Sequence, residues 1–398
     1  MQFAERLNHV ETSAIRELFK LLGKPGIISF AGGFPDSALF DVAGLRAASE
    51  RALAEEPGAA LQYGATEGYQ PLREQLAGFM AGKGVTDVTP GDFLVTTGSQ
   101  QALDLLGKTM LGPGDKVIVE GPTFLATIQC FRLYGAEVIS APVDAHGVDT
   151  EALEKLIAEH QPKMVYLIPT FGNPSGATLT LERRKKVLEL AVKYQTLVVE
   201  DDPYGDLYFG EAPPPSLLAL SAQVPGSRAW LAHCGSLSKV LSPGLRIGWL
   251  VAPEELRDRA VMCKQFSDAN TSTFAQATAA QYLKAGHMPA TLAQVRQVYA
   301  ERAQAMGDAL RKELGDAVTF VAPQGGLFLW VKLTGARGQL QDANVFAQRA
   351  IAKGVAFVPG TPFFAQNPDN ATLRLSFATA DVARIQEGVA RLGQALAA

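Results

Sequence analysis

Met164–Glu200, MVYLIPTFGNPSGATLTLERRKKVLELAVKYQTLVVE, contains two short apolar runs separated by a longer segment with helical spacing. The first run is Met164–Pro169 and the second is Leu197–Glu200, and both have the length of a strand. Between them, Leu181–Tyr194 carries apolar residues three and four positions apart, as in a helix packed on one face. A strand, a helix and a strand in this order predict a crossover between two parallel strands.

The same alternation extends through most of the first 285 residues. Five further apolar runs of strand length are Phe93–Thr97, Lys116–Glu120, Glu137–Pro142, Ala229–His233 and Ile247–Val251. Segments with helical spacing between them include Gln100–Met110, Phe124–Tyr134 and Thr150–Glu159. Seven buried strands with helical crossovers predict an α/β fold, built on a mainly parallel, seven-stranded sheet with helices on both faces. Ligands of such sheets bind at the carboxyl ends of the strands, where most of the polar motifs of this chain fall.

The pattern changes after about Ala285. A long helical segment, Met288–Glu313, precedes further runs of strand length at Thr319–Val321, Phe328–Lys332, Ala356–Pro359 and Thr372–Ser376. Fewer strands with more alternation predict a smaller α+β lobe, against which the first forty residues, with a helix near Ser13–Leu22, are expected to pack. We therefore expect a large domain at residues 45–285 and a small domain formed by residues 1–44 and 286–398.

The composition narrows the class of partner. The chain has 398 residues, of which 47% are hydrophobic and 19% charged, as in a globular protein large enough for two cores. A net charge of −4 argues against nucleic-acid binding, because binding to a phosphate backbone needs clustered excess Lys and Arg. No run approaches the ~20 apolar residues of a membrane span, and residues 1–18 lack the apolar core of a signal peptide, so we expect a cytoplasmic protein. Cys130, Cys234 and Cys263 lack metal-ligand spacing, and no metal site is expected.

Lys239 lies among small and hydroxyl-bearing residues in Cys234–Trp249, CGSLSKVLSPGLRIGW. A lysine amine attacks carbonyl groups only when it is neutral, and Schiff-base chemistry therefore needs close backbone and little water. Ser236 and Ser238 offer hydroxyl groups to phosphate oxygens, and Arg246 offers a planar fork that matches phosphate. A lysine beside an anion site predicts pyridoxal 5'-phosphate as the cofactor. The alternative is an ordinary solvated loop lysine.

An expected strand runs directly into Gly98-Ser99-Gln100, where a helical pattern begins. A helix start with Gly and Ser forms an anion cradle, since free amide hydrogens and the positive end of the helix dipole converge there. The motif by itself also fits a simple capped turn, but its combination with Arg246 favours phosphate binding. Phe124 follows the next strand end, where its ring can stack on a planar pyridine, although phenylalanine is also a common core residue.

Two more strand ends carry polar side chains. Asn173 lies in a turn with proline and glycine, where its amide either donates to a phenolic oxygen or simply stabilises the turn. We assign Asp201 to a protonated pyridine nitrogen, because a charge pair at about 4 Å is worth roughly 4 kcal/mol at an effective dielectric constant of 20. Tyr204, three residues further on, is assigned with Asn173 to the phenolic side of the cofactor. Glu200 and Asp202 are expected to cap a helix or to pair with surface cations.

These motifs occur in the order and at the spacing of a known family. They resemble those of the fold-type I pyridoxal-phosphate aminotransferases of class I/II: Asn173-Pro-x-Gly176, Asp201-x-x-Tyr204, Ser236-x-Ser-Lys239 and Arg246. The resemblance covers nearly the whole chain, and it implies that family's fold, cofactor and reaction. It also implies that Tyr63 reaches the phosphate of the neighbouring subunit's cofactor, so that the protein is a homodimer with shared sites.

Arg374 matches the arginine of this family that binds the substrate α-carboxylate through a bidentate pair. The alternation places Arg374 on the opposite face from Leu373 and Leu375, a pattern that a solvent-facing arginine fits equally well. The N-terminal sequence resembles the subgroup that contains 2-aminoadipate and kynurenine aminotransferases. That resemblance implies that Gly33 lies over the substrate and that Arg16, on a mobile N-terminal helix, reads a distal carboxylate. The alternative for Arg16 is a surface position.

We therefore predict an enzyme that moves the amino group of an L-amino acid to a 2-oxo acid, with 2-oxoglutarate as the expected acceptor. Donors of the 2-aminoadipate, aromatic, branched-chain and glutamate-like types remain open, and Lys239 is expected to move the Cα proton. One alternative is a lyase or decarboxylase of the same fold. Another is the effector-binding domain of a transcription regulator, which needs a basic DNA-binding module for which the roughly thirty residues before Ala31 leave no room. A third is a binding protein that has lost its activity, which the intact lysine, aspartate and arginine set disfavours.

Overall fold

The computed structural model describes Met1 and residues 3–9, 26–335 and 341–397. Strands and helices are numbered in chain order within these residues. The strands are β1 (Ile28–Ser29), β2 (Phe93–Thr97), β3 (Lys116–Gly121), β4 (Glu137–Asp144), β5 (Gly147–Val148), β6 (Met164–Leu167), β7 (Leu197–Asp202), β8 (Leu231–Ser236), β9 (Ile247–Val251), β10 (Val318–Phe320), β11 (Phe328–Leu333), β12 (Val355–Ala356), β13 (Val358–Pro359) and β14 (Thr372–Ser376). The α-helices are α1 (Val42–Glu55), α2 (Pro57–Leu61), α3 (Gln70–Ala81), α4 (Ser99–Met110), α5 (Leu125–Leu133), α6 (Thr150–His160), α7 (Leu181–Tyr194), α8 (Leu217–Leu220), α9 (Glu254–Gln265), α10 (Thr273–Lys284), α11 (Met288–Glu313), α12 (Ala343–Ala352) and α13 (Val382–Ala397).

The larger sheet contains eight strands in the order β2-β9-β8-β7-β6-β3-β4-β5 and is flanked by helices. Strands β8, β7, β6, β3 and β4 pair in parallel, whereas β9 is antiparallel to both β8 and β2. All seven expected strands are present, with bounds that differ by at most three residues. The expected number of strands was wrong by one, because β5 is a two-residue partner of β4 that is too short to give a periodic pattern.

The helices follow the expected pattern closely. Leu181–Tyr194 and Met288–Glu313 have the predicted bounds, α4 and α6 differ from theirs by one residue at one end, and α5 differs by one residue at each end. The start of α7 is fixed by Thr180, whose hydroxyl accepts the Arg183 N–H at 3.3 Å, and its end by Gln195 in the left-handed region at φ 51°. No helix in the described ranges is both long and apolar enough to cross a membrane.

A second sheet has four antiparallel strands in the order β10-β11-β14-β13. The run expected to form one strand at Ala356–Pro359 forms two, since β12 pairs in parallel with β1 and β13 pairs with β14. An apolar pattern cannot mark this division, because residues 355–358 are all buried. The helix expected near Ser13–Leu22 lies outside the described residues. The domain limits at 44/45 and 285/286 stay a prediction.

The topology brings the polar motifs to one edge of the larger sheet. The five parallel strands all end at this edge, and β2 also ends there because it is antiparallel to β9, which is antiparallel to β8. Asp201 lies near the end of β7 and Ser236 at the end of β8, while Gly98 directly follows β2. Residues that are far apart in sequence therefore meet at the position where sheets of this class bind their ligands.

Candidate active site

Lys239 lies on the wall of a cavity of about 390 Å³ at this edge of the sheet. The predicted site residues that line the same cavity are Gly33, Ser99, Gln100, Phe124, Asn173, Asp201, Tyr204, Ser236, Ser238, Arg246 and Arg374. The other lining residues are Phe34, Leu125, Ala126, Gln129, Ile168, Pro203 and Pro243. Residues that were predicted from separate sequence motifs therefore line one cavity.

The Lys239 side chain is half-buried, and its Nζ donates a hydrogen bond to the Gly33 carbonyl oxygen at 2.8 Å. Burial lowers the pKa of the Lys239 amine, the positive charges of Arg374 and Arg246 add to this effect and Asp201 opposes it, so that the pKa is about 8. A substantial fraction of this amine is therefore neutral near pH 8. That property suits a nucleophile or a general base and argues against an ordinary solvated lysine.

The carboxylate of Asp201 is buried and has two unequal oxygens. Its Oδ2 accepts a hydrogen bond from the Tyr166 hydroxyl at 2.7 Å, whereas Oδ1 has no hydrogen-bond partner in the described part of the chain. Burial raises the pKa of Asp201 to about 7, and the hydrogen bond from Tyr166 opposes this rise. A buried acceptor without a partner is costly, and Asp201 lines the cavity, so a donor or a cation bound beside Asp201 would relieve this cost.

The two carboxylates beside Asp201 have structural partners, as expected from the sequence. Glu200 accepts the amide hydrogens at the start of α8 and hydrogen-bonds His233. Asp202 Oδ2 lies 3.5 Å from Lys83 Nζ, and its Oδ1 accepts the Gly205 N–H at 3.0 Å. Helix capping and pairing with a cation thus account for both residues.

Ser236, Ser238 and Arg246 meet the start of α4. The Ser238 N–H donates to Ser236 Oγ at 3.1 Å, and Arg246 Nη2 donates to the Thr97 carbonyl oxygen at 3.2 Å. Gly98 has φ 76°, and a Cβ at this position would collide with the Arg246 guanidinium. Hydroxyl groups, amide hydrogens and an exposed guanidinium therefore surround a small space suited to an anion.

Arg374 is buried in β14, which settles the question that its alternating pattern left open. Its Nη1 donates to Asn173 Oδ1 and its Nη2 to the Ala31 carbonyl oxygen, each at 2.8 Å, while Nε has no partner among the described residues. Its guanidinium carbon lies 4.2 Å from the centre of the Phe328 ring. Burial lowers the pKa of Arg374 to about 10, and Tyr204 opposes the shift.

Asn173 connects Arg374 with Tyr204, since Asn173 also hydrogen-bonds Arg374 and its Nδ2 lies 3.5 Å from the Tyr204 hydroxyl.

Three predicted site residues do not line the cavity. Gly98 supports it through Arg246, Tyr63 is 85% exposed, and Arg16 lies outside the described residues. The sequence analysis missed Tyr166, because a tyrosine inside an apolar strand looks like an ordinary core residue.

The cofactor expected from the sequence fits this arrangement. A lysine of lowered pKa suits an aldehyde, the unpartnered Asp201 Oδ1 suits a protonated ring nitrogen, and the space around Gly98 and Arg246 suits a phosphate. Across all described residues, no group of three or more His, Cys, Asp or Glu side chains is arranged to hold a metal ion. The fold and these groups define a pyridoxal-phosphate enzyme.

Comparison with known proteins places the chain more narrowly. The family profile described as Aminotransferase class I and II matches residues 26–392. A 2-aminoadipate transaminase of Thermus thermophilus is 44% identical over 396 residues, which span 99% of this chain and 96% of that protein. An aromatic-amino-acid aminotransferase of Thermococcus litoralis is 37% identical over 404 residues, which span 99% and 94% of the two chains.

A solved structure agrees with these relatives. The α-aminoadipate aminotransferase of Thermus thermophilus, complexed with N-(5'-phosphopyridoxyl)-L-leucine, is similar with a TM-score of 0.90 at 42% identity, covering 99% of this chain and 97% of that chain. The chain belongs to the aminotransferase class I and II family. It is a pyridoxal-phosphate-dependent aminotransferase, and the predicted family, cofactor and type of reaction are confirmed.

Proposed function

We propose that the protein transfers the amino group of an L-amino acid to 2-oxoglutarate, with a donor of the 2-aminoadipate, aromatic, branched-chain or glutamate-like type. The observation that carries this proposal is the cavity wall, which joins Lys239, the unpartnered oxygen of Asp201 and the buried guanidinium of Arg374. The names of the two relatives support 2-aminoadipate and aromatic donors, respectively. The cytoplasm is the proposed location.

The cofactor site has a separate group for each part of the cofactor. When bound, pyridoxal 5'-phosphate supplies an aldehyde that bonds amines and a ring that accepts the electrons of the broken Cα–H bond. Lys239 Nζ would bond the aldehyde, Asp201 would pair with the protonated ring nitrogen, and Phe124 would stack on the ring. Asn173 and Tyr204 hydrogen-bond the phenolic oxygen. The phosphate is bound by groups around the start of α4: Gly98, Ser99, Gln100, Ser236, Ser238 and Arg246.

The substrate is held at its α-carboxylate by Arg374, with Asn173 orienting the guanidinium and Gly33 lying over the bound amino acid. Arg374 and Lys239 line the same cavity, so a substrate held at the arginine would lie near the lysine amine. Once the substrate amine has displaced it from the aldehyde carbon, Lys239 Nζ in its neutral form would take the Cα proton and deliver it to that carbon. A pKa held near 8 by burial keeps this amine available at near-neutral pH.

The rest of the cavity wall indicates which side chains of an amino donor the site can accept. It is formed mostly by apolar residues, with one amide: Phe34, Leu125, Ala126, Ile168, Pro203, Pro243 and Gln129. Among the described lining residues, the positively charged side chains are Lys239, Arg246 and Arg374, and each has a role above. An apolar donor side chain fits this wall directly. A 2-aminoadipate or glutamate-like donor needs a further cation for its distal carboxylate, and we assign that role to Arg16.

We also propose a homodimer in which Tyr63 reaches the phosphate of the neighbouring subunit's cofactor. Tyr63 and Leu61 are 85% and 70% exposed, and a partner surface would cover these side chains. The segment is anchored by Thr273 Oγ1, which donates to the Gln62 carbonyl oxygen at 2.6 Å. Light scattering on the cofactor-loaded protein is expected to give the mass of a dimer. Tyr63→Phe is expected to weaken the affinity for the cofactor while the protein remains a dimer. A fully active monomer would contradict this arrangement.

A panel of amino donors tests the function. The cofactor-loaded enzyme is incubated with 2-oxoglutarate and leucine, phenylalanine or 2-aminoadipate, and glutamate is measured. A lyase or decarboxylase would consume donor without forming glutamate, and that result would overturn the proposal.

Arg16→Gln is expected to lower activity with 2-aminoadipate much more than with leucine or phenylalanine. Equal losses with all three donors would remove Arg16 from the substrate site.

A further inference from the structure

Tyr166 is a buried residue of β6 that contacts the site without lining the cavity. Its hydroxyl donates to Asp201 Oδ2 at 2.7 Å, while Asp201 Oδ1 has no partner among the described residues and Asp201 itself lines the cavity. We propose that Tyr166 is a positioning residue, which holds one oxygen of Asp201 so that the other faces the cofactor and the shared proton stays on the ring nitrogen. This inference rests on the proposed role of Asp201.

The position of the Tyr166 hydroxyl is fixed by the sheet and by packing. Strands β6 and β7 pair in parallel, with Tyr166 opposite Val199, two residues before Asp201. The Phe131 ring packs edge-on against the Tyr166 ring, with the ring centres 6.0 Å apart and the planes at 83°. A buried ring in this setting has little freedom to rotate. Its hydroxyl therefore stays aimed at the same carboxylate oxygen.

The phenol acts as a permanent donor. Burial raises the pKa of Tyr166 well above its ordinary value, so the hydroxyl keeps its proton throughout the working pH range. The other titratable groups whose charges act on or respond to Asp201 are Glu200, Asp202, Tyr204, His233, Cys234 and Lys239. Within the described residues, Tyr166 supplies the hydrogen bond that the Asp201 side chain accepts. Removing the Tyr166 hydroxyl therefore removes this one hydrogen bond to Asp201 and leaves the surrounding charged groups in place.

The electrostatic consequence concerns one proton shared by two bases. A carboxylate beside a ring nitrogen competes with that nitrogen for the proton, and burial favours the neutral carboxylic acid, raising the Asp201 pKa to about 7. A hydrogen bond donated to the ionised carboxylate lowers its basicity and moves the proton toward the ring. Since a protonated ring is the better acceptor of electrons from the substrate, Tyr166 acts on the reaction through Asp201.

The test measures the protonation of the ring directly. Wild type, Tyr166→Phe and Tyr282→Phe are loaded with pyridoxal 5'-phosphate labelled with ¹⁵N in the ring, and the ¹⁵N signal is followed against pH. Tyr282 is the matched control, because it is equally buried and its hydroxyl lies 3.1 Å from Asp41 Oδ2, outside the cavity. In Tyr166→Phe the midpoint pH at which the ring loses its proton is expected to fall by about one unit or more, the size of one hydrogen bond to a charged group. Tyr282→Phe is expected to match wild type, and a wild-type midpoint in Tyr166→Phe would overturn the inference.

Two further variants separate the possible failures. If Asp201→Asn leaves the ¹⁵N titration unchanged, the proposed role of Asp201 is wrong; if only Tyr166→Phe leaves it unchanged, only the inference about Tyr166 fails. Difluorotyrosine at position 166, a stronger donor of similar shape, is expected to raise the midpoint pH. This second variant keeps the inference testable if Tyr166→Phe does not fold, and a midpoint equal to or below that of wild type would contradict it.

Discussion

The two faces of strand β7 hold neighbouring buried carboxylates in opposite situations. On one face, Glu200 accepts two amide hydrogens from the start of α8, at 2.6 and 3.1 Å, and lies 2.8 Å from His233 Nδ1. On the other face, Asp201 lines the cavity and accepts one hydrogen bond from Tyr166, while its second oxygen has no partner among the described residues. A carboxylate with all its acceptors occupied supports the fold, whereas one left with a vacant acceptor marks the place of a ligand.

Asp201→Asn is the substitution expected to have the largest effect. The amide keeps the shape of the side chain but loses the charge that pairs with the ring nitrogen. Turnover is expected to fall about 10³-fold, because such a pair is worth roughly 4 kcal/mol. The cofactor-free variant is expected to be at least as stable as wild type toward urea, since a buried charge has been removed. Near-normal turnover would place Asp201 with Glu200 as a structural residue.

Glu200→Gln probes the opposite face of the strand. The substitution breaks a buried hydrogen-bonded pair with His233, so the free energy of unfolding is expected to fall by about 3 kcal/mol. Urea unfolding of the cofactor-free protein measures this loss. The visible absorbance of the cofactor-loaded variant is expected to match wild type. A changed cofactor spectrum without loss of stability would erase the distinction between the two faces.

Arg374→Lys tests whether the two arginines of the cavity bind different ligands, the substrate and the cofactor phosphate. Lysine keeps the charge but lacks the planar fork, so the Michaelis constant for the amino donor is expected to rise about 10- to 100-fold. The control is Arg246→Lys, which is expected to weaken affinity for the cofactor with little effect on that constant. Steady-state kinetics and cofactor titration distinguish the two outcomes. The reverse pattern would exchange the proposed roles of the two arginines.

The pH dependence of cofactor uptake gives the smallest expected effect. An amine is nucleophilic only when neutral, and burial lowers the pKa of Lys239 to about 8. The rate at which the cofactor-free enzyme takes up pyridoxal 5'-phosphate is therefore expected to rise about tenfold from pH 7 to 9 and to level off above. Stopped-flow absorbance measures this rate, with a free lysine derivative as the control. A rate that keeps rising toward pH 10 would indicate an unperturbed lysine.

Most of the larger sheet could be predicted from the sequence, because buried parallel strands are continuous apolar runs bounded by turns. The bounds of Leu181–Tyr194 followed from its helical periodicity, and the structure has a helix with these bounds. The two-residue strand β5 and the division of Ala356–Pro359 could not be predicted, because short strands carry no period and pairing partners are chosen by tertiary contacts.

The site residues that follow strand ends were predictable for the same topological reason, and Lys239, Asn173 and Asp201 do line one cavity. Tyr166 was not predictable, since its significance depends on a 2.7 Å contact with a residue 35 positions away. The burial of Arg374 was also undetermined, because alternation does not say whether the second face of a sheet is covered.

Borohydride reduction of the cofactor-loaded enzyme, followed by peptide mass spectrometry, identifies the lysine that bonds the cofactor. The expected result is a phosphopyridoxyl group on Lys239, with no label on the buried Lys264. Label on a different lysine, or an active enzyme that carries no label after reduction, would contradict the proposed site.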